Sequence, residues 1–183
     1  MSLKSTLTTR SSLLGLLAAG VLGASLSGCA STANARVAGV ASAPAATSDA
    51  GIAAITGQLQ RYEGALNNAD LDGVMGLYAA DAVFMPQHGL PVVGRDAVRA
   101  AYQRVFDTIQ LSIRFQIDEV HLLSPEWAYA RTRSTGTVRL VGVNQPPAPE
   151  ANQELFLLHR EADGQWRFAR YIFSTTNPPG RSR

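Results

Sequence analysis

Three side chains in this sequence are placed to do chemistry. Tyr62 lies on the apolar stripe of the first helical segment, His88 follows the short apolar run Val83-Phe84-Met85 and Pro86, and Glu154 alternates with Phe156 and Leu158. A phenol supplies a hydrogen-bond donor, and an imidazole is an acid or base near neutrality. The carboxyl's role depends on which way it faces. Turned inward among apolar groups it favours the protonated form. Turned outward it meets Arg131, Arg133 or Arg170, and the dense alternation of arginine in ARTRSTGTVRL and RFARY favours that cross-strand ion pair. Tyr62 likewise has two readings, a core aromatic with its hydroxyl satisfied locally or a hydroxyl offered to a ligand.

Other chemistries lack their residues. His88, His121 and His159 form neither HExxH nor a closely spaced ligand set, so no metal is expected. Asp81 and Asp96 read as turn and helix N-terminal residues. No GxGxxG, Walker lysine or GxSxG occurs, and no cofactor is expected. Lys4 is the only lysine and Cys29 the only cysteine, which leaves a chain without its leader neither Schiff-base nor disulfide chemistry.

The elements that position these residues are legible in the periodicity. Ile52, Ile55, Leu59, Tyr62 and Leu66 recur at steps of three and four, marking a helix from about Gly51 to Asn67-Asn68. Asp70 caps a second short helix carrying Leu71, Val74, Leu77 and Tyr78, which ends near Ala79 or Ala80. A strand at Val83-Phe84-Met85 follows, then a third helix from Gly94-Arg95-Asp96, with Val98, Ala101, Tyr102, Val105, Phe106 and Ile109 on its buried side. Beyond Gln110 the period becomes two. It slips at Asp118-Glu119, as a bulge would make it, and continues through Trp127 to Val141, Gln153 to Glu161, and Trp166 to Ser174 behind a tight turn at Asp163-Gly164. Three N-terminal helices followed by a curved antiparallel meander make an α+β plan, a cone with an apolar mouth. Tyr62, Tyr78, Phe84, Met85, Phe106 and Phe156 are its expected ligand-binding wall, which favours an apolar or aromatic molecule.

The first fifty residues are a separate matter. Lys4 and Arg10 precede the apolar run Leu13 to Leu26, too short to span a bilayer, and Leu26-Ser27-Gly28-Cys29 follows at once. LSGC resembles the bacterial lipobox, so residues 1–28 are expected to be a signal peptide and Cys29 the lipidated residue. Residues 29–50 then form a flexible tether, 51–176 the folded domain and 177–183 a disordered tail. The expected location is the periplasmic side, anchored through Cys29 in the outer membrane, since Ala30 lacks the aspartate of an inner-membrane retention signal. Sixteen basic residues less Lys4 and Arg10 leave fourteen against fourteen acidic ones. The full-length pI near 9.0 is therefore no argument for a nucleic-acid partner.

The stretches RYEGALNNADLDGVMGLYAADAVFMP, VVGRDAVRAAY and FLLHREADGQWRFARYIF resemble the nuclear transport factor 2-like superfamily, within it the SnoaL-like and SgcJ/EcaC-type bacterial proteins related to ketosteroid isomerase. The resemblance implies three helices packed in a curved sheet. It also implies either a ligand-binding domain, an isomerase, cyclase or cofactor-free oxidoreductase, or a dimeric association domain. Ketosteroid isomerase uses a carboxylate base and an oxyanion hole of a tyrosine and a protonated aspartic acid. By that resemblance Tyr62 matches the tyrosine and Glu154 falls near the acid. The base position falls at Met85-Pro86, where no carboxylate stands, and His88 is the remaining loop acid or base. The alternating face of Trp127, Tyr129, Arg131 and Arg133 is an expected homodimer surface.

Overall fold

The computed structural model describes residues 43–178. The expected signal peptide, Cys29, most of the tether and the last residues of the tail lie outside these. Helix α1 runs Ala43–Asn67, beginning well before Gly51 and taking in the end of the expected tether. Alanine-rich sequence favours helix, and Pro44 sits in the first turn, where a missing N–H costs nothing. Helix α2 (Leu71–Gly76) is capped as expected, with the Gly73 N–H donating to the Asp70 carboxylate at 2.9 Å.

The chain leaves α2 earlier than its apolar pattern implied. Strand β1 spans Tyr78–Met85, so Tyr78 belongs to the sheet. The backbone explains the difference: the Phe168 N–H already donates to the Leu77 carbonyl at 2.8 Å, so the sheet captures the chain directly after the helix. Strand β2 (Val92–Val93) is followed by helix α3 (Arg95–Thr108). Strands β3 (Ile109–Leu122), β4 (Trp127–Leu140), β5 (Ala148–Arg160) and β6 (Trp166–Thr175) complete the fold. The sheet is curved and unclosed in the order β2-β1-β6-β5-β4-β3, antiparallel except where β1 runs parallel to β6.

Alternation along the strands sorts the two faces. On β4, Ala128, Ala130, Thr132 and Ser134 are buried, while Trp127, Arg131 and Arg133 are exposed. The small inward residues leave space for larger side chains from α1 and β6. The expected bulge is present as a register shift between Ile117 and Glu119. Opposite it, Arg131 pairs with Asp118 at 2.8 Å and Glu119 at 2.9 Å, and Arg133 pairs with Asp118 at 2.8 Å. The outward arginines are thereby occupied.

One glycine is fixed by packing. A Cβ at Gly136 would stand 2.1 Å from the Ser112 carbonyl oxygen of the neighbouring strand. The edge of β3 is protected by helix side chains. Asn67 exchanges two 2.8 Å bonds with the Ile113 backbone, and Glu63 accepts from the Phe115 N–H at 2.6 Å. Those contacts dock α1 on the sheet and satisfy donors that an open edge would expose. Between helices and sheet lies one core including Leu59, Tyr62, Tyr78, Phe156 and Phe168, each buried side chain contributing roughly 1.5–3 kcal/mol.

Candidate functional site

The helices do not fill the concave face of the sheet. A cavity of about 290 Å³ remains between α1, α3, the end of β1 and the inner faces of β3 to β6. Tyr62, Phe84, Tyr102, Phe115, Tyr171 and Phe173 supply its aromatic walls. Phe84 stacks between Tyr102 and Tyr171 at centroid separations of 5.1 and 5.5 Å, and Phe115 stacks on Tyr62 at 5.8 Å. Such contacts fix ring orientations beyond what area burial alone provides.

A chain of phenols closes one side. The Tyr102 hydroxyl meets those of both Tyr62 and Tyr78, the latter at 2.7 Å. Three hydroxyls carry three protons and share two bonds, so one O–H is left unused between them. Tyr78 is fully buried and absent from the cavity wall, whereas Tyr62 borders the cavity. With the bonds running from Tyr78 through Tyr102 to Tyr62, the remaining O–H is that of Tyr62, beside both the cavity and the Tyr171 phenol. Burial holds the phenols of Tyr62, Tyr78, Tyr102 and Tyr171 well above the usual range, so they remain neutral donors.

The second polar feature is a patch on β4 and β5. Thr132 pairs with Glu154 and Ser134 with Asn152 in the strand register. The hydroxyls of Thr132 and Ser134 each lie 2.5 Å from a Glu154 oxygen, and Glu154 is only 3% exposed. Burial raises its carboxyl above the ordinary range, partly opposed by the two hydroxyls and reinforced by Asp118 and Glu150. When the carboxyl is protonated it donates to one hydroxyl, whose own O–H is then free to bond another acceptor. Ser134 borders the cavity and can pass the change to a ligand.

The favoured sequence reading of Glu154 is therefore corrected. It faces the interior without an arginine because Arg131 and Arg133 alternate onto the opposite face and meet Asp118 and Glu119. Arg170 also turns outward, donating to the Asp81 carbonyl at 3.2 Å.

Of the other expected residues, Tyr62 and Phe84 border the cavity. Tyr78 lies behind it, holding Tyr102, and Phe156 lies beneath it, stacked on Tyr171 at 4.3 Å. Phe106 borders a separate hollow with Asn67 and Val141, and Met85 lies on the outer sheet face beside Leu155 and Ile172. Period two sends Phe84 inward and Met85 outward. His88 is exposed in a turn with a left-handed φ of 58°. Its neighbour Gln87 reaches the cavity instead, its Oε1 accepting from the Thr175 N–H at 2.6 Å.

Sequence reasoning missed Tyr102, Asn152, Ser134 and Tyr171. Tyr102 was visible on the buried stripe of α3, but a hydroxyl's partners are set by three-dimensional convergence, and here they lie 40 and 24 residues away. Among the described residues no group of acidic, cysteine or histidine side chains is arranged to hold a metal ion.

The sequence pattern of the SnoaL-like domain matches residues 59–169. A ketosteroid isomerase-like protein from Erwinia carotovora atroseptica is 36% identical, with a TM-score of 0.65 over 69% of this chain and 97% of that one. A scytalone dehydratase candidate from Novosphingobium aromaticivorans, 20% identical, aligns with a TM-score of 0.65 over 76% of this chain and 99% of its own. A nuclear transport factor 2-like protein of unknown function from Shewanella oneidensis is 22% identical, with a TM-score of 0.53 over 66% and 96% of the two chains. The last two likenesses bear on the fold alone. No curated protein matches the chain. The domain match runs from the second half of α1 into the start of β6, and the chain belongs to the SnoaL-like family, with the nuclear transport factor 2-like cone as its fold.

Proposed function

We propose that this domain is a receptor for a small, largely apolar or aromatic molecule, held on the export side of a membrane by lipid on Cys29. The supporting observation is the cavity itself, about 290 Å³ with six aromatic residues in its wall. That volume lies at the lower end of the roughly 300–1,000 Å³ of ligand pockets. Polar groups on two sides, Tyr62 and the Glu154 patch, are placed to fix a ligand's orientation. The test is titration of the full chain with the neutral fluorescent probe N-phenyl-1-naphthylamine. Saturable one-to-one enhancement that Leu111→Trp abolishes, by filling the cavity, supports the reading. Enhancement unchanged by Leu111→Trp contradicts it.

An enzymatic reading rests on the same neutral donors. Tyr62 and a protonated Glu154 can stabilise a developing oxyanion on a steroid- or polyketide-like ketone. That reaction also needs a base, and Phe84, Met85, Pro86 and the bonded Gln87 do not provide one. Solvent deuterium entering the position next to a bound ketone's carbonyl at a rate above buffer would favour enzyme over receptor.

A homodimer through the outer sheet face is part of the proposal. Leu155 and Ile172 are 46% and 45% exposed there, beside Met85 and Leu157. Sedimentation equilibrium of the full chain in detergent should give twice the chain mass, and a monomer at high concentration would remove this element.

A further inference from the structure

The charges around the cavity say what kind of head group it accepts. Glu150 and Glu154 both border it, while no arginine or histidine does. Between them on β5 stands Asn152, only 8% exposed, whose Nδ2 donates to Glu150 at 2.8 Å. That bond fixes the sense of the amide, because a carboxylate can only accept from it. The other end, Oδ1, is buried and has no hydrogen-bond partner. A buried acceptor left unpaired costs roughly 1–3 kcal/mol, and a donor arriving with a ligand would recover it.

The rest of the wall includes Phe84, Phe115 and Tyr171, an apolar surface for the body of a ligand. An anionic head group would meet two carboxyls without a basic partner, an arrangement that rejects it.

We propose that the cavity selects a small aromatic or arylalkyl amine, its ammonium donating to the acceptor wall of Glu150, Asn152 and Glu154 and its hydrocarbon body lying among Phe84, Phe115 and Tyr171. This rests on the receptor reading above and names the ligand class. Asn152 supplies the geometric selectivity, since its unpaired oxygen can accept but not donate. Glu150 supplies the charge selectivity.

The test uses three probes sharing a phenylalkyl body: 2-phenylethylamine, 2-phenylethanol and 3-phenylpropionate, titrated calorimetrically into the full chain in detergent at pH 7. The amine should bind at least tenfold more tightly than the alcohol, and the carboxylate should show no saturable binding. Glu150→Gln, at a half-buried position and with folding verified by thermal denaturation, should lower amine affinity several-fold and leave alcohol affinity unchanged. Asn152→Leu, with folding verified by thermal denaturation, should weaken amine and alcohol together. Alcohol binding as tightly as amine, or carboxylate binding at all comparably, would overturn the amine proposal while leaving the receptor reading intact. Failure of all three probes, together with N-phenyl-1-naphthylamine, would overturn both.

Discussion

Thr132 and Glu154 face each other across β4 and β5, and their side chains meet inside the molecule at 2.5 Å. This pairing turns a strand carboxylate inward and away from Arg131 and Arg133, which flank Thr132 in sequence. The acid thus lies in a site where burial favours its protonated form.

The pH dependence of stability follows. Burial raises the folded-state pKa of Glu154 above its ordinary value of 4.5, so its contribution to stability is fully present below about 4.5 and is lost as pH rises through the raised value. Glu154→Gln removes that dependence and keeps a group able to bond Thr132 and Ser134. The variant's stability relative to the parent should increase as pH rises, measured by urea unfolding across the range. Asp163 behaves oppositely. Arg167 holds its carboxyl at about 2, so its contribution is present above 3.8 and fades toward pH 2, and Asp163→Asn should flatten that acid limb.

Tyr62→Phe removes the hydroxyl that the phenol chain presents to the cavity while keeping the ring. Affinity for a ligand carrying an acceptor should fall by about 0.5–1.5 kcal/mol. Affinity for a purely hydrocarbon probe should not change. Equal loss for both would show that the effect comes from packing.

Gly136→Ala should destabilise the domain by roughly 1–3 kcal/mol, because the new methyl collides with the backbone of β3 and strands cannot yield as a flexible side chain does. Thermal unfolding reads this directly. A variant as stable as the parent would mean that β3 and β4 separate freely at this point.

Cys29→Ser should abolish metabolic labelling by fatty acid and move the protein out of the membrane fraction. Multiple acyl chains contribute about 0.8 kcal/mol per buried methylene, enough for lasting attachment. Unchanged labelling and unchanged membrane recovery would refute the anchor.

The architecture was legible because it is written in periodicity. The three-four spacing of Ile55, Leu59, Tyr62 and Leu66 places one face of α1 against the sheet, and the slip at Asp118-Glu119 marks the bulge. The boundary between α2 and β1 was not, since the apolar spacing of Val74, Leu77 and Tyr78 suits a helix while the bond from Phe168 to Leu77 is long-range. The site divides similarly. Tyr62 and Phe84 could be placed from their stripes, but the direction of Glu154 depended on which partner the arginines chose. That choice was made by Asp118, whose position beside Arg131 and Arg133 is set by the bulge and not by spacing along the chain.

The most direct measurement of the receptor function is native mass spectrometry of the full chain, expressed with its own leader and purified from its own export compartment, followed by identification of anything released. One small, largely apolar molecule per chain is expected, absent from the Leu111→Trp variant. A chain that carries nothing, and stays empty after incubation with a broad mixture of small aromatic compounds, would contradict it.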